Sequence, residues 1–137
     1  MNTRWIFAAV LAFPVLAAAA GPQLDSFDPD QLHLDGSQCA FTNQARQTVL
    51  ASDWVRTFWI KVDGKMIELA SRQSDEEMQR QSAQKRWRDT LQAPGLTLEL
   101  DLKKTGAGDD TAAYTGRIAL KRGDAVTRIA VSGGCAA

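Results

Sequence analysis

Hydrophobic and polar positions alternate cleanly in three stretches of this chain. In WIKVDGKMIEL, residues 59–69, two alternating runs flank Asp63-Gly64. A two-residue type I′ turn prefers such a pair, because both of its central positions take a positive φ. With that pair at the tip, Phe58 faces Leu69, Ile60 faces Ile67 and Val62 faces Lys65. One side of the ribbon is then Phe58, Ile60, Val62, Ile67 and Leu69, and the other is Thr57, Trp59, Lys61, Met66, Glu68 and Ala70. Both strands agree on this register, and a slip of one residue would turn every apolar side chain outward. LTLELDL, residues 96–102, puts Leu96, Leu98, Leu100 and Leu102 on one face. After the Gly-rich acidic stretch TGAGDDTA, the run YTGRIALKRGDAVTRIAVSGGC predicts a second hairpin with Gly123-Asp124 at its tip. It sets Leu120 opposite Thr127, Ile118 opposite Ile129 and Gly116 opposite Val131, with Tyr114 extending the apolar face.

Between the hairpins the pattern changes. SDEEMQRQSAQKRWRDTLQAPG opens with Ser74 and Glu77 at capping-box spacing, and Asp75 and Glu76 fall in the first turn. The positive end of a helix dipole favours acidic residues there. Lys85, Arg86 and Arg88 come late, Glu76 and Arg80 stand four apart, and Pro94-Gly95 forms a stop. Ala83, Trp87 and Leu91 line up as a thin apolar face. These signals predict one short helix over about 75–91. The competing pattern is a charged loop running into a strand at Trp87–Leu91, whose alternate residues would point inward. Short β-compatible runs also flank Cys39, in QCAFTN and RQTVLAS. The fold class expected is mainly β: a small antiparallel barrel or sandwich built from hairpins, with that one helix.

The two ends read differently. Residues 1–20 carry one basic residue, Arg4, then an apolar run and the exit Ala18-Ala19-Ala20, the pattern of a secretory signal peptide. The run is shorter than a membrane span and Pro14 interrupts it, so no membrane insertion is expected after cleavage, and a periplasmic or secreted location is. Residues 21–37 hold four aspartates and no basic residue, with Leu24, Phe27 and Leu32 in no clear period. They are expected as a loosely ordered acidic leader. Residues 38–137 make the single domain.

Composition narrows the chemistry. The chain has 16 basic and 16 acidic residues, a balance that removes the electrostatic case for nucleic acid. Two cysteines, Cys39 and Cys135, sit near the two ends of the domain without C-x-x-C spacing. An even count in a small exported chain predicts a disulfide between them. His33 is the sole histidine and lies in the leader, so no thiol or hydroxyl has an obvious base to activate it. No carboxylate occupies an inward position of a predicted strand. The expectation is therefore no enzyme, no cofactor and no metal site; Asp28-Pro29-Asp30 and Asp109-Asp110 lack a full calcium ligand set. Thr111 stands where a dinucleotide loop needs its third glycine.

What remains is aromatic. Trp59 stands on the polar side of the first hairpin, opposite Glu68 and beside Lys61. Tryptophan is highly buried on average, so cover by the helix, through Trp87 or Ala83, is the first expectation and a ligand the second. Trp59, Lys61, Glu68, Trp54 and Trp87 form the candidate binding surface.

The stretches CAFT, FWIKVDGKMIEL, YTGRIAL and GGC resemble an uncharacterised family of small exported bacterial proteins. In general plan the chain is also similar to the periplasmic inhibitors of animal-type lysozyme, which implies a disulfide-closed β-barrel. The inhibitory Ser-Gly-x-x-Tyr loop of those proteins has no counterpart in Ser132-Gly133-Gly134-Cys135 or Tyr114-Thr115-Gly116, so no inhibitory residue carries over. The leading expectation is a non-catalytic binding module of the bacterial envelope, an inhibitor, immunity-type or accessory protein whose partner is a protein or cell-envelope component. The alternative is a carbohydrate or small-ligand binder using Trp59 and Trp54, and the third is a small carboxylate hydrolase.

Overall fold

Asp63 and Gly64 both take positive φ, 48° and 81°, at the tip of the first hairpin. The strands they join run Thr57–Val62 (β4) and Lys65–Ser71 (β5), and Phe58↔Leu69, Ile60↔Ile67 and Val62↔Lys65 pair as the alternation requires. The second hairpin, Thr111–Arg122 (β8) and Ala125–Ala136 (β9), likewise pairs Leu120↔Thr127, Ile118↔Ile129 and Gly116↔Val131. The computed structural model describes residues 21–137; the signal-peptide reading of residues 1–20 lies outside them.

Four further strands complete the wall: Gln38–Thr42 (β2), Thr48–Ser52 (β3), Arg86–Ala93 (β6) and Leu96–Ala107 (β7). Each strand from β2 to β9 pairs antiparallel with its neighbour in sequence, and β9 returns to β2. The choice between barrel and sandwich is thereby decided as a closed eight-stranded up-and-down barrel. The closing seam runs from Gln38↔Ala136 to Thr42↔Ser132 and includes Cys39↔Cys135, joined as a disulfide with 4.0 Å between Cα atoms. That bridge is buried, at 2% and 4% exposure, which is compatible with an oxidising compartment.

The inner face does the organising. Leu98, Leu100 and Leu102 of β7, Phe58, Ile60 and Val62 of β4, and Ile118 and Leu120 of β8 are all buried in one core. Each fully buried side chain of this kind contributes roughly 1.5–3 kcal/mol, against about 0–1 kcal/mol for a surface ion pair. The order of the wall thus follows its apolar face and not its charges. Arg86, Arg88, Asp101, Lys103 and Arg117 alternate outward and are exposed, the reverse of the polarity carried by a membrane-spanning barrel. Gly116 and Gly133 face the interior where strands approach closely: a Cβ on Gly133 would lie 2.0 Å from the Ala40 carbonyl oxygen, and one on Gly116 would lie 2.1 Å from that of Asp101.

One expectation is corrected. The helix spans Asp75–Ser82 (α1), not 75–91, and residues 86–93 are strand β6. Ser74 forms the N-cap, its Oγ accepting from the Glu77 amide. Past Ser82, however, the two-residue alternation of Trp87, Asp89 and Leu91 wins, because in a strand all three point inward and pair along β7 as Trp87↔Leu102, Asp89↔Leu100 and Leu91↔Leu98. Residues 21–37, expected as a loosely ordered acidic leader with one or two apolar residues on the domain, meet the barrel near their start. Leu24–Asp25 (β1) pairs with Val62 and Lys61 of β4, where β3 registers with β4 only at Ala51↔Trp59 and Ser52↔Phe58. Phe27 is buried, and its amide donates to the Thr48 carbonyl at 3.0 Å.

Candidate functional site

A meander sends alternate connections to opposite ends. At one end every connection is short: Asn43–Gln47, Asp63–Gly64, Pro94–Gly95 and Gly123–Asp124. The leader lies across that end, held by Gln23, whose amide donates to Asp63, and by the Pro22 carbonyl, which accepts from Thr127 Oγ1. At the other end lie the β3–β4 loop, the much longer β5–β6 connection that contains α1, and the disulfide. Loops placed by a rigid scaffold are where binding residues concentrate.

The β3–β4 loop is wound about one carboxylate. Asp53 Oδ1 accepts from the amides of Val55, Arg56 and Thr57, and Ser52 Oγ accepts from the Trp54 amide. This wrapping holds Trp54 at φ 61°, a left-handed conformation costing roughly 1–2 kcal/mol for a residue with a Cβ. Strain of this kind persists only where the surroundings over-determine it. Here it sets a large ring at the rim of the barrel.

Helix α1 sits over the same opening yet buries none of its own residues. Its tethers are polar. Asp75 pairs with Arg56, Arg56 Nη1 donates to the Gln73 carbonyl, and Lys104 Nζ donates to the Ser82 carbonyl. The β5–β6 seam below is short, registered only at Ala70↔Gln92 and Ser71↔Leu91. Beyond it the Arg88 carbonyl has lost its strand neighbour, and the side-chain amides of Gln73 and Gln81 both donate to it, at 2.9 and 2.5 Å.

Between this lid and the barrel interior lies a cavity of about 320 Å³, lined by Trp54, Val55, Met78, Trp87 and Tyr114 together with polar residues including Gln73 and Gln81. Trp87 and Tyr114 belong to an aromatic cluster with Phe41 and Phe58, at centroid separations of 5.4–6.4 Å. Burial raises the Tyr114 phenol above its ordinary pKa, which keeps it neutral. Asp75 at the rim is matched by Arg56. An aromatic, uncharged recess with a few placed polar groups is the usual form of a small-molecule site.

A larger concavity, about 630 Å³, lies on the outer wall among Arg72, Arg88, Arg117, Arg128, Glu99 and Asp101. Its two named acids are paired, Asp101 with Arg86 and Arg88 and Glu99 with Lys121, while Arg72, Arg117 and Arg128 make no ion pair among the described residues. The hydrogen bond from Arg86 holds the Asp101 carboxyl below its ordinary pKa. That pattern is a solvated ionic surface.

Asp89 corrects the expectation that no carboxylate faces inward; it is 7% exposed on β6. A helix over 75–91 gives that position no inward side, whereas the two-residue alternation of a strand turns it into the barrel. Burial raises its pKa, against hydrogen bonds from Ser71, the Thr90 amide and Trp87, with the nearby Glu77 charge adding to the rise. Ser71 Oγ donates to Oδ2 and the Thr90 amide to Oδ1, both at 2.7 Å.

The structure divides the five residues of the candidate surface. Trp54 and Trp87 meet at the mouth cavity. Trp59, Lys61 and Glu68 lie on the outside of the β4–β5 ribbon, with Trp59↔Glu68 and Lys61↔Met66 in register. Trp87 is not the cover of half-buried Trp59, because its ring points into the barrel against Phe58 and Tyr114. Tyr114, Gln73 and Gln81 were missed as site residues. Tyr114 reads from the sequence as an extension of the apolar face, and the glutamines carry no local signal, since only the early end of β5 brings them to the opening.

No family model, curated protein or solved structure matches this chain, so geometry and chemistry carry the functional reading.

Proposed function

We propose that this protein is a non-catalytic, exported binding module of the bacterial envelope whose ligand is a small, ring-bearing molecule held at the lidded mouth of the barrel. The supporting observation is that Trp54, Trp87 and Tyr114, from three separate connections and strands, line one cavity of about 320 Å³. That volume falls at the lower end of the ~300–1,000 Å³ range of small-molecule sites, and eight strands make a barrel about wide enough for one such ligand. Catalysis is left out because both oxygens of Asp89, the one buried acid among the described residues, are engaged by Ser71 and Thr90. Placement in the periplasm or outside the cell rests on the N-terminal pattern and the bridge, and cell fractionation tests it. The binding test is a ligand panel read by calorimetry, with Trp54→Ala as control. Saturable binding that weakens at least about tenfold in the variant supports the reading, and binding unchanged by the substitution refutes it.

A second reading is docking of an envelope macromolecule on the outer ribbon. Met66, 40% exposed, lies there across from Lys61 and beside Trp59 and Glu68. Capture of a partner that Trp59→Ala abolishes and Trp54→Ala leaves intact would favour it.

A further inference from the structure

Charge on this molecule is balanced in number and segregated in space. The outward positions of β6 to β9 carry Arg86, Arg88, Lys103, Arg117, Lys121 and Arg128, opposed there by Glu99 and Asp101. Balancing acid lies elsewhere: Asp25 of the leader stands in register with Lys61 of β4, across the barrel from β8. Facing sheets are about 10 Å apart, more than the ~8 Å over which physiological salt screens a charge. The neutral total of the chain therefore does not set the potential over this wall.

The concavity of about 630 Å³ lies on that wall, with Arg72, Arg88, Arg117 and Arg128 in its lining and the short side chains of Thr90 and Ala119 keeping it low. Asp101 is the direct cross-strand neighbour of both Arg88 and Arg117. Its oxygens nevertheless go to the β6 side, where Arg86 takes both and Arg88 approaches one. Arg117 is thereby left without a counterion among the described residues. So is Arg128, whose cross-strand partner is Ala119, since Glu99 is taken by Lys121. Arg117 and Arg128 are diagonal neighbours on one face, a spacing of about 7–8 Å that long side chains bridge. Two like charges so placed repel, and an anion between them relieves it.

We propose that this concavity is an anion site whose ligand is a small phosphate monoester, its phosphate held between Arg117 and Arg128. Guanidinium forks match phosphate oxygens two at a time. A monoester near neutral pH carries close to two negative charges, enough for both arginines, where a carboxylate carries one. The volume falls within the ~300–1,000 Å³ of small-molecule sites, which leaves room beside the phosphate for the rest of the ester. Gln73 alone lines both this concavity and the mouth, so the two sites stand or fall separately.

Phenyl phosphate and phenyl sulfate provide the test, since they share a shape and differ in charge. Calorimetric titration at about pH 7.5 should give the phosphate about tenfold tighter binding or more. That affinity should weaken with added salt and below about pH 6, where the second proton returns. The double variant Arg117→Gln, Arg128→Gln changes only exposed side chains and should lose at least about tenfold. Lys65→Gln, equally exposed at the tip of the first hairpin, should lose nothing. Absence of phenyl phosphate binding, equal affinity for the sulfate, or equal loss in the Lys65 variant would overturn the proposal. So would sedimentation with phosphatidylglycerol vesicles that depends on the two arginines while phenyl phosphate fails to bind, an outcome that assigns the wall to a lipid headgroup.

Discussion

Trp87 meets Tyr114 edge to face, with ring centroids 5.4 Å apart and planes at 64°. The pair joins two strands that do not adjoin, β6 and β8, across the interior below the lid. It serves the core and the cavity at once, so stability and binding should respond together when it is broken. Trp87→Ala should cost about 3–5 kcal/mol by urea denaturation, and Trp87→Phe should recover much of that through Phe41, Phe58 and Tyr114.

Trp54 should separate the two properties. Its ring is partly buried against the core while its backbone sits at φ 61°. Trp54→Ala loses the ring and keeps the strain; Trp54→Gly loses both. Glycine should therefore be the more stable variant by about 1 kcal/mol, against its usual order with alanine. Both should lose ligand equally. Thermal melts and titrations of the two variants side by side check this.

The Cys39–Cys135 bridge joins residues 96 apart in sequence and staples the seam that closes the barrel. The chain-entropy model gives about 4–5 kcal/mol for a loop of that length. The Cys39→Ala, Cys135→Ala double variant should lose most of that in denaturant midpoint. Reduction under native conditions should be slow, because both sulfur-bearing residues are buried.

Asp89 sets a pH dependence with a definite sign. Burial raises its pKa in the folded state above the ordinary 3.8, so the native protein binds that proton more tightly than the unfolded chain. Between the two values the native state holds more protons, and the contribution of Asp89 to stability falls as pH rises through the window, staying at its lowest above the folded value. Asp89→Asn should therefore be more stable than the parent at pH 7, with the difference shrinking toward pH 3. Denaturation midpoints across that range would show it; a difference that grows on acidification would contradict the assignment.

Gly133 should tolerate nothing larger. A Cβ there would meet the Ala40 carbonyl oxygen and Phe41 Cα, both backbone atoms of the partner strand at the closing seam. Gly133→Ala should destabilise by at least about 1–3 kcal/mol, the usual cost of overpacking, measured in urea.

Much of the wall was legible in the chain. Period-two alternation, together with turn residues demanding positive φ, sets a hairpin register locally, and Phe58↔Leu69 and Ile118↔Ile129 pair as read. The helix start was equally local, a matter of Ser74 and Glu77. Its end was not. Lys85, Arg86 and Arg88 satisfy a helix dipole as well as the outer face of a strand, and only the leucines of β7 waiting opposite Trp87, Asp89 and Leu91 decide between them. That error hid the inward position of Asp89 and sent Trp87 to cover Trp59 from the wrong side of the wall.

The sequence by itself determined the two hairpins, strand β7 and their apolar faces, because each is written in neighbours along the chain. Tertiary structure alone decided that the wall closes, that Trp54, Trp87 and Tyr114 share a cavity, and that Gln73 and Gln81 are buried against the Arg88 carbonyl. Those are consequences of where β5 parts from β6 and where β9 meets β2, contacts between segments distant in sequence whose energies no local pattern contains.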